Sequence, residues 1–290
     1  MSPERDLWAH YEPVHAIAYF DPDVSGALAE VGLHGFWNGY FAGRAAPLGA
    51  VGPEAVTALF FGFAPAMVAK AVPKVWTRVT PEQAVTSRLA AVSRTLTPLI
   101  EAGGTEDVRR VTEALVRAAG SASYDGRALA AAWAGVPVPE DLGSRLWWAV
   151  TALREHRGDG HVLAATLAGL SGLETTVTHV AAGPLTREAL QPNRGWTDPE
   201  WDAAVDGLAA RGLLEPDGSA LTAAGAELRA GVENDTDRLA RVPAAALADD
   251  LPLIRQVLGG LARAIAEAGS LPTLNPMGVP LPDQGPCTST

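Results

Sequence analysis

The residues from Leu153 to Val162 read Leu-Arg-Glu-His-Arg-Gly-Asp-Gly-His-Val, an ionisable and glycine-containing stretch between two apolar segments, 146–153 and 162–170. Charge of that density cannot cross a core without partners, so this stretch constrains the fold more than any other. Glycine on both sides of Asp159 lets the backbone turn sharply. The expectation is helix, tight corner, helix, with polar groups crowded at the corner. His156 then lies in a last helical turn, where the macrodipole favours the imidazolium, and His161 in a first turn, where it favours the neutral ring. Asp159 is placed to cap the helix that holds His161. Two titratable groups pushed apart in this way suit acid–base chemistry or a charged ligand. The alternative is a polar corner satisfied by its own caps.

A chain of 290 residues, 48% apolar and 19% charged, is a folded chain with room for a sizeable core. Abundant alanine and few β-branched runs favour helix. No uninterrupted apolar run reaches the ~18 residues of a membrane span. The opening residues Met1 to Asp6 are charged and lack an apolar signal core. A single cysteine, Cys287, sits in a tail of Pro, Gly, Ser and Thr and forms no internal disulfide, so a cytoplasmic location is expected. The net charge of −11 counts against nucleic-acid binding, which draws on Lys and Arg.

Periodic apolar residues predict helices along most of the chain, with a break or kink at Pro13. Residues 52–67 read as one helix. All six phenylalanines precede residue 64, with three of the four tyrosines, and they alternate with glycine and alanine in 35–49. Such a segment makes either a close-packed core or the wall of an apolar pocket. Arg44 within it needs a partner, an internal acid such as Glu12 or an acidic ligand. After residue 184, Thr197 caps a helix running to about Arg211. Residues 212–222 then read as two short strands around Pro216-Asp217-Gly218, and Ala223–Leu239 as a long helix. The fold expected is therefore mainly α: a multi-helix, aromatic-rich domain over 1–142, a helical corner and winged helix with a short β-hairpin wing over 143–241, and a C-terminal helix with an irregular tail over 242–290.

Leu208-Ala-Ala-Arg-Gly-Leu-Leu214 followed by Leu221-Thr-Ala-Ala-Gly225 resembles the winged helix of MarR-type regulators. From Trp8 to about Gly278 the chain is similar to an actinobacterial family of MarR-like helix-turn-helix proteins, through Gly35-Phe36-Trp37 to Leu48-Gly49, the Arg154–His161 motif, Arg194-Gly195-Trp196 and Val232–Asp237. That resemblance implies a fold and no settled activity. The MarR likeness also implies a homodimer that responds to a ligand. Against DNA binding, the recognition-helix equivalent presents Asp198, Glu200, Asp202 and Asp206. Residues 184–241 hold eleven acids and six arginines, a net of −5, and phosphate repels such a surface.

None of the six histidines pairs with a cysteine at ligand spacing, so no metal site is assigned, and no cofactor is expected. Haem or a metal held by histidines assembled in space stays an open alternative. Phosphate loops, nucleophile elbows and dinucleotide fingerprints are missing from the sequence. The expected site is a pocket walled by Tyr19, Phe36, Trp37, Tyr40 and Phe41, with polarity from His15, Arg44, Arg154, His156, Arg157 and His161. His179, with Thr175 and Thr176 one turn before it, adds a further ligand-binding group. Arg44 or Arg157 would hold an anionic or carbonyl group. His156 and His161 would exchange protons with the ligand, and Glu12 and Asp159 would orient imidazole or pair arginine. The function expected is binding of a small, partly aromatic or anionic molecule without DNA or membrane contact, with acid–base catalysis in specialised metabolism as its enzyme form. The alternative is a ligand-responsive regulator of MarR type.

Overall fold

Several helices begin where a capping side chain meets a proline. Ser2 caps α1 (Pro3–Phe20), Asp21 caps α2 (Pro22–Glu30), and Thr80 and Gln83 form a reciprocal box at the start of α6 (Pro81–Gly103). Each cap satisfies amide groups that have no partner inside the helix, and proline at the first position gives up only an amide that would be orphaned anyway. The computed structural model describes residues 1–183, 185–272 and 279. Cys287 and most of the tail beyond Gly269 lie outside them.

Between these helices come α3 (Phe36–Ala45), α4 (Pro53–Phe60) and α5 (Pro65–Ala71), then α7 (Thr105–Ser121), α8 (Ala128–Ala134) and α9 (Leu142–Leu167). Pro13 does not interrupt α1. The single helix expected over 52–67 is two, α4 and α5, separated by a turn at Phe61–Ala64. Phe61 has φ +51 and ψ −61, with the Gly62 amide donating to the Phe60 carbonyl at 2.6 Å. That is a γ-turn of the rarer hand, a costly conformation for a residue with a side chain.

The corner expected at 158–160 does not exist. α9 runs unbroken through Gly158, Asp159 and Gly160. Two mid-helix glycines cost about 1 kcal/mol each against alanine, and tertiary packing overrides that cost. A Cβ on Gly160 would stand 3.3 Å from Leu239 Cβ, so glycine there lets α13 (Ala223–Leu239) pack close to α9. Asp159 caps a different helix from the one expected: its Oδ2 accepts the Ala130 amide at 3.0 Å, in the first turn of α8.

After α9 come α10 (Gly172–Ala182), α11 (Arg187–Arg194) and α12 (Asp198–Ala210), followed by α13, α14 (Arg241–Ala245) and α15 (Leu251–Glu267). Ser171 and Glu174 box the start of α10, and Thr197 and Glu200 that of α12. The β-hairpin wing is absent: among the described residues there is no strand, only an isolated antiparallel bridge between Leu214 and Leu221. Each arm is too short for a ladder. Pro216 offers no amide, the Ser219 amide turns back onto Asp217 at 3.0 Å, and Thr222 is already the cap of α13. A pair of arms this short has too few cross-strand contacts to register as sheet.

Two cores result. The larger gathers Leu7, Val14, Phe41, Leu96, Leu115 and Trp147, and α15 returns to it with Ile254, Leu258 and Ile265. The smaller holds Ala164, Ala165, Leu173, Trp201, Leu208 and Val232. α9 belongs to both: residues 146–153 are buried in the first and 164–165 in the second. Its polar middle spans the gap between them.

Candidate functional site

Continuity of α9 determines what its polar middle can do. Successive side chains on a helix are about 100° apart, so residues spaced i, i+3, i+4 and i+7 share a face. On α9 that face is Arg154, Arg157, Gly158 and His161, and all four line a cavity of about 970 Å³ between the two cores. α10 presents Gly172, Thr175, Thr176 and His179 in the same spacing, and α13 presents Ala226, Arg229, Ala230 and Glu233. The fourth wall is Tyr40 and Arg44 of α3 with the strained turn Phe60–Phe63, closed by Arg5, Trp8 and Glu12 of α1. The turn is pinned to the end of α11 and its connection to α12. Trp196 Nε1 donates to the Gly62 carbonyl at 2.9 Å, and the Ala64 amide donates to the Arg194 carbonyl at 2.8 Å.

A chain of ion pairs forms one side. Arg44 Nε and Nη2 each donate to Glu155 at 2.8 Å, and Arg154 Nη1 donates to the same carboxylate at 3.0 Å. Arg154 Nε reaches Glu12 at 3.3 Å, and Trp8 Nε1 donates to Glu12 at 3.0 Å. Burial alone would raise the fully buried Glu155 carboxyl, but the two guanidinium groups hold it far below the usual carboxylate range. Arg44 therefore pairs with Glu155, whereas Glu12 serves Arg154. Farther along, Arg157 Nη2 donates to Asp237 at 2.6 Å, beneath Trp8. Arg5 shares Asp237 and Glu233, and the Nε–H of Arg157 is buried without a partner.

His161 of α9 and His179 of α10 both line the cavity. His161 Nδ1 lies 3.2 Å from Thr236 Oγ1, and Arg229 Nη2 donates to His179 Nδ1 at 2.9 Å. Burial depresses both rings; His179 is pulled down to about 4, with Arg229 adding to the effect. For His161, Arg157 and Arg229 act in the same direction as burial and Glu233 opposes them.

The other expected residues lie elsewhere. His156 is on the opposite face of α9, where its Nε2–H donates to the Ser123 carbonyl at 3.0 Å beside Tyr124. Burial, then Arg127, lowers it to about 4, the reverse of the imidazolium expected at a helix end that does not exist. Asp159 shares that face, and burial raises its carboxyl to about 6. His15 and Tyr19 are buried in the larger core, joined at 2.9 Å, with His15 also bonded to Thr151. Tyr19 approaches the cavity only through Tyr40, at 4.9 Å between ring centroids. Phe36 and Trp37 pack on each other at 4.8 Å behind Tyr40 and do not line the cavity, and Phe41 is core. Of the expected set, the structure brings together Tyr40, Arg44, Arg154, Arg157, His161 and His179.

Glu155, Arg194, Arg229, Glu233 and the Phe60–Phe63 turn complete the site. A helical-wheel reading of α13 would have aligned Arg229 with Glu233, whereas local sequence carries no signal that sets Glu155 against Arg44. Six arginines line the cavity against two carboxylates, Glu12 and Glu233, with Glu155 and Asp237 behind them. This concentrates positive charge in a chain whose net is −11. Among the described residues no three His, Cys, Asp or Glu side chains are grouped to hold a metal ion, and no helix is long and apolar enough to cross a membrane.

A family model described as a helix-turn-helix family matches residues 4–272. No curated protein and no solved structure matches the chain.

Proposed function

Because the chain belongs to this helix-turn-helix family over nearly its whole length, we propose that its helix-turn-helix segment forms one wall of a small-molecule site and not a DNA-reading surface. The observation that carries this reading is the cavity of about 970 Å³, lined by arginines and aromatic rings, where α9, α10 and α13 meet the N-terminal helices. A space of that size with convergent charged groups suits a ligand that is partly aromatic and carries an anionic group. Acid–base catalysis on such a ligand is the enzyme form of the reading.

The outer surface argues the same way. Asp198, Glu200, Asp202 and Asp206 of α12 are exposed. Arg187 is committed to Asp198 and Asp202, Arg211 to Glu174 and Arg238 to Asp235, while Arg194 and Arg229 line the cavity. A helix that presents acids to the major groove is repelled by phosphate.

The test uses anilinonaphthalene sulfonate as an anionic aromatic probe and phenylnaphthylamine as its neutral counterpart. The anionic probe should saturate one site and accept energy from Trp8. Arg157→Gln should weaken it about tenfold or more, the value of one charge-assisted hydrogen bond, and leave the neutral probe unchanged. Equal binding of both probes, or no effect of Arg157→Gln, refutes the site. A labelled duplex retained at physiological salt refutes the claim about DNA.

A ligand-responsive regulator of MarR type is the second reading. It is favoured by Leu190 and Arg194 of α11 standing in the cavity wall, which puts a bound ligand against the helix-turn-helix itself. It requires a homodimer by native mass spectrometry and DNA retention that the ligand abolishes.

A further inference from the structure

The hydrogen bonds of the two cavity histidines leave them with opposite proton positions. Thr236 has one hydroxyl proton and gives it to the Val232 carbonyl at 2.7 Å. Its oxygen can then only accept from His161, so His161 carries its proton on Nδ1 and has a lone pair on Nε2. Arg229 can only donate, so His179 Nδ1 is the acceptor and its proton sits on Nε2. Both side chains line the cavity, and neither Nε2 meets a protein partner among the described residues. One cavity thus holds an imidazole that can take a proton and another that can only give a hydrogen bond.

We propose that the cavity catalyses proton abstraction beside a carbonyl group, with His161 Nε2 as the base and His179 Nε2–H as the donor to the oxygen that gains charge. The proposal rests on the ligand-binding reading above and names its substrate class: an enolisable carbonyl compound bearing an aromatic group and a carboxylate. The carboxylate suits the arginine-lined side, and the ring suits Phe60 and Phe63 in the wall.

In the step itself, the His161 lone pair takes the proton from the carbon next to the carbonyl. The C–H bonding pair becomes the new C=C bond and the carbonyl π pair moves to oxygen, which accepts the His179 hydrogen bond. Return of the proton from His161 to oxygen or carbon completes a keto–enol interconversion. No atom is oxidised or reduced and no co-reactant is consumed. Glu233 offsets the charge on the transient His161 imidazolium, and a neutral donor at His179 polarises a carbonyl without becoming a competing acid. Burial keeps both rings in these neutral forms at neutral pH.

Two measurements on the whole protein test this. Long-range nitrogen–proton correlation of the labelled imidazoles at neutral pH should show His161 as the Nδ1–H tautomer and His179 as the Nε2–H tautomer. The same tautomer in both, or an imidazolium in either, overturns the proposal without any variant. Phenylpyruvate in deuterated water should lose its methylene proton signal faster than in buffer. His161→Asn should slow that exchange about a hundredfold, in the range of general-base contributions, while phenylpyruvate binding persists. His34→Asn, an exposed histidine away from the cavity, should leave it unchanged. Phenylpyruvate that binds but does not exchange overturns the catalytic inference and leaves ligand binding standing. Phenylpyruvate that does not bind overturns both.

Discussion

Replacing Glu155 by glutamine removes the carboxylate that Arg44 and Arg154 share. Arg44 is 8% exposed and spends Nε and Nη2 on Glu155, so the substitution leaves a buried guanidinium with one neutral amide oxygen in place of a bidentate carboxylate, besides a long contact to Tyr40 at 3.4 Å and the Phe60 ring. Breaking a buried ion pair from one side costs roughly 3–5 kcal/mol, because the surviving charge stays desolvated. Arg154 keeps Glu12 and contributes little to the loss. For a domain of this size the change lowers Tm by on the order of 10 °C. Denaturant titration followed by far-ultraviolet circular dichroism measures it, and the shift should persist at ~1 M salt, since a buried pair is poorly screened. The reverse deletion is milder. Arg44→Gln leaves Glu155 still held by Arg154 at 3.0 Å, so it should cost clearly less than Glu155→Gln. Equal costs, or no shift for Glu155→Gln, would refute the assignment of Glu155 as the shared anion.

Two further outcomes follow from named groups. His156 and His179 fall from 6.5 to about 4 on folding, so the unfolded chain binds more protons between those values. Their stabilisation is complete above about 6.5 and is lost as pH falls towards 4. Asp159 runs the other way: its rise to about 6 contributes stability below its unfolded value that is lost as pH climbs through 6. The two histidines outweigh the single carboxyl, and stability measured by urea titration should drop by a few kcal/mol between pH 7 and 4; a flat profile contradicts the burial of these rings. The glycines offer a matched pair. Gly172→Ala would set a Cβ 1.8 Å from the Phe61 carbonyl oxygen, and such overpacking should cost about 2 kcal/mol or more. Gly158→Ala meets nothing closer than 3.5 Å, so it should gain about 1 kcal/mol of helix propensity while narrowing the cavity and weakening the anionic probe. Loss of stability in Gly158→Ala would contradict the continuous helix there.

Local sequence was enough for features that local chemistry governs. The cap at Thr197 can be read from its own segment, because Thr197 and Glu200, three residues apart, close on each other's backbone. The acidic face of α12 is equally legible, since three carboxylates at helical spacing, Asp198, Asp202 and Asp206, cannot all be buried. The larger errors lie where distant contacts decide. Glycine on both sides of Asp159 reads as a corner by propensity, yet α13 needs a Cβ-free surface at Gly160 and α8 needs a carboxylate at Asp159, so packing keeps the helix whole. That one outcome moves His156 and Asp159 to the far face and pairs His161 with His179 instead. Leu214 and Leu221 likewise meet at one bridge and go no further, because their arms end before a ladder can form. The sequence by itself determined a helical chain with an acidic helix-turn-helix and a reserve of aromatic and basic residues. Only the tertiary structure decided which of those residues share a cavity, because a helix face acquires chemistry from the faces packed against it.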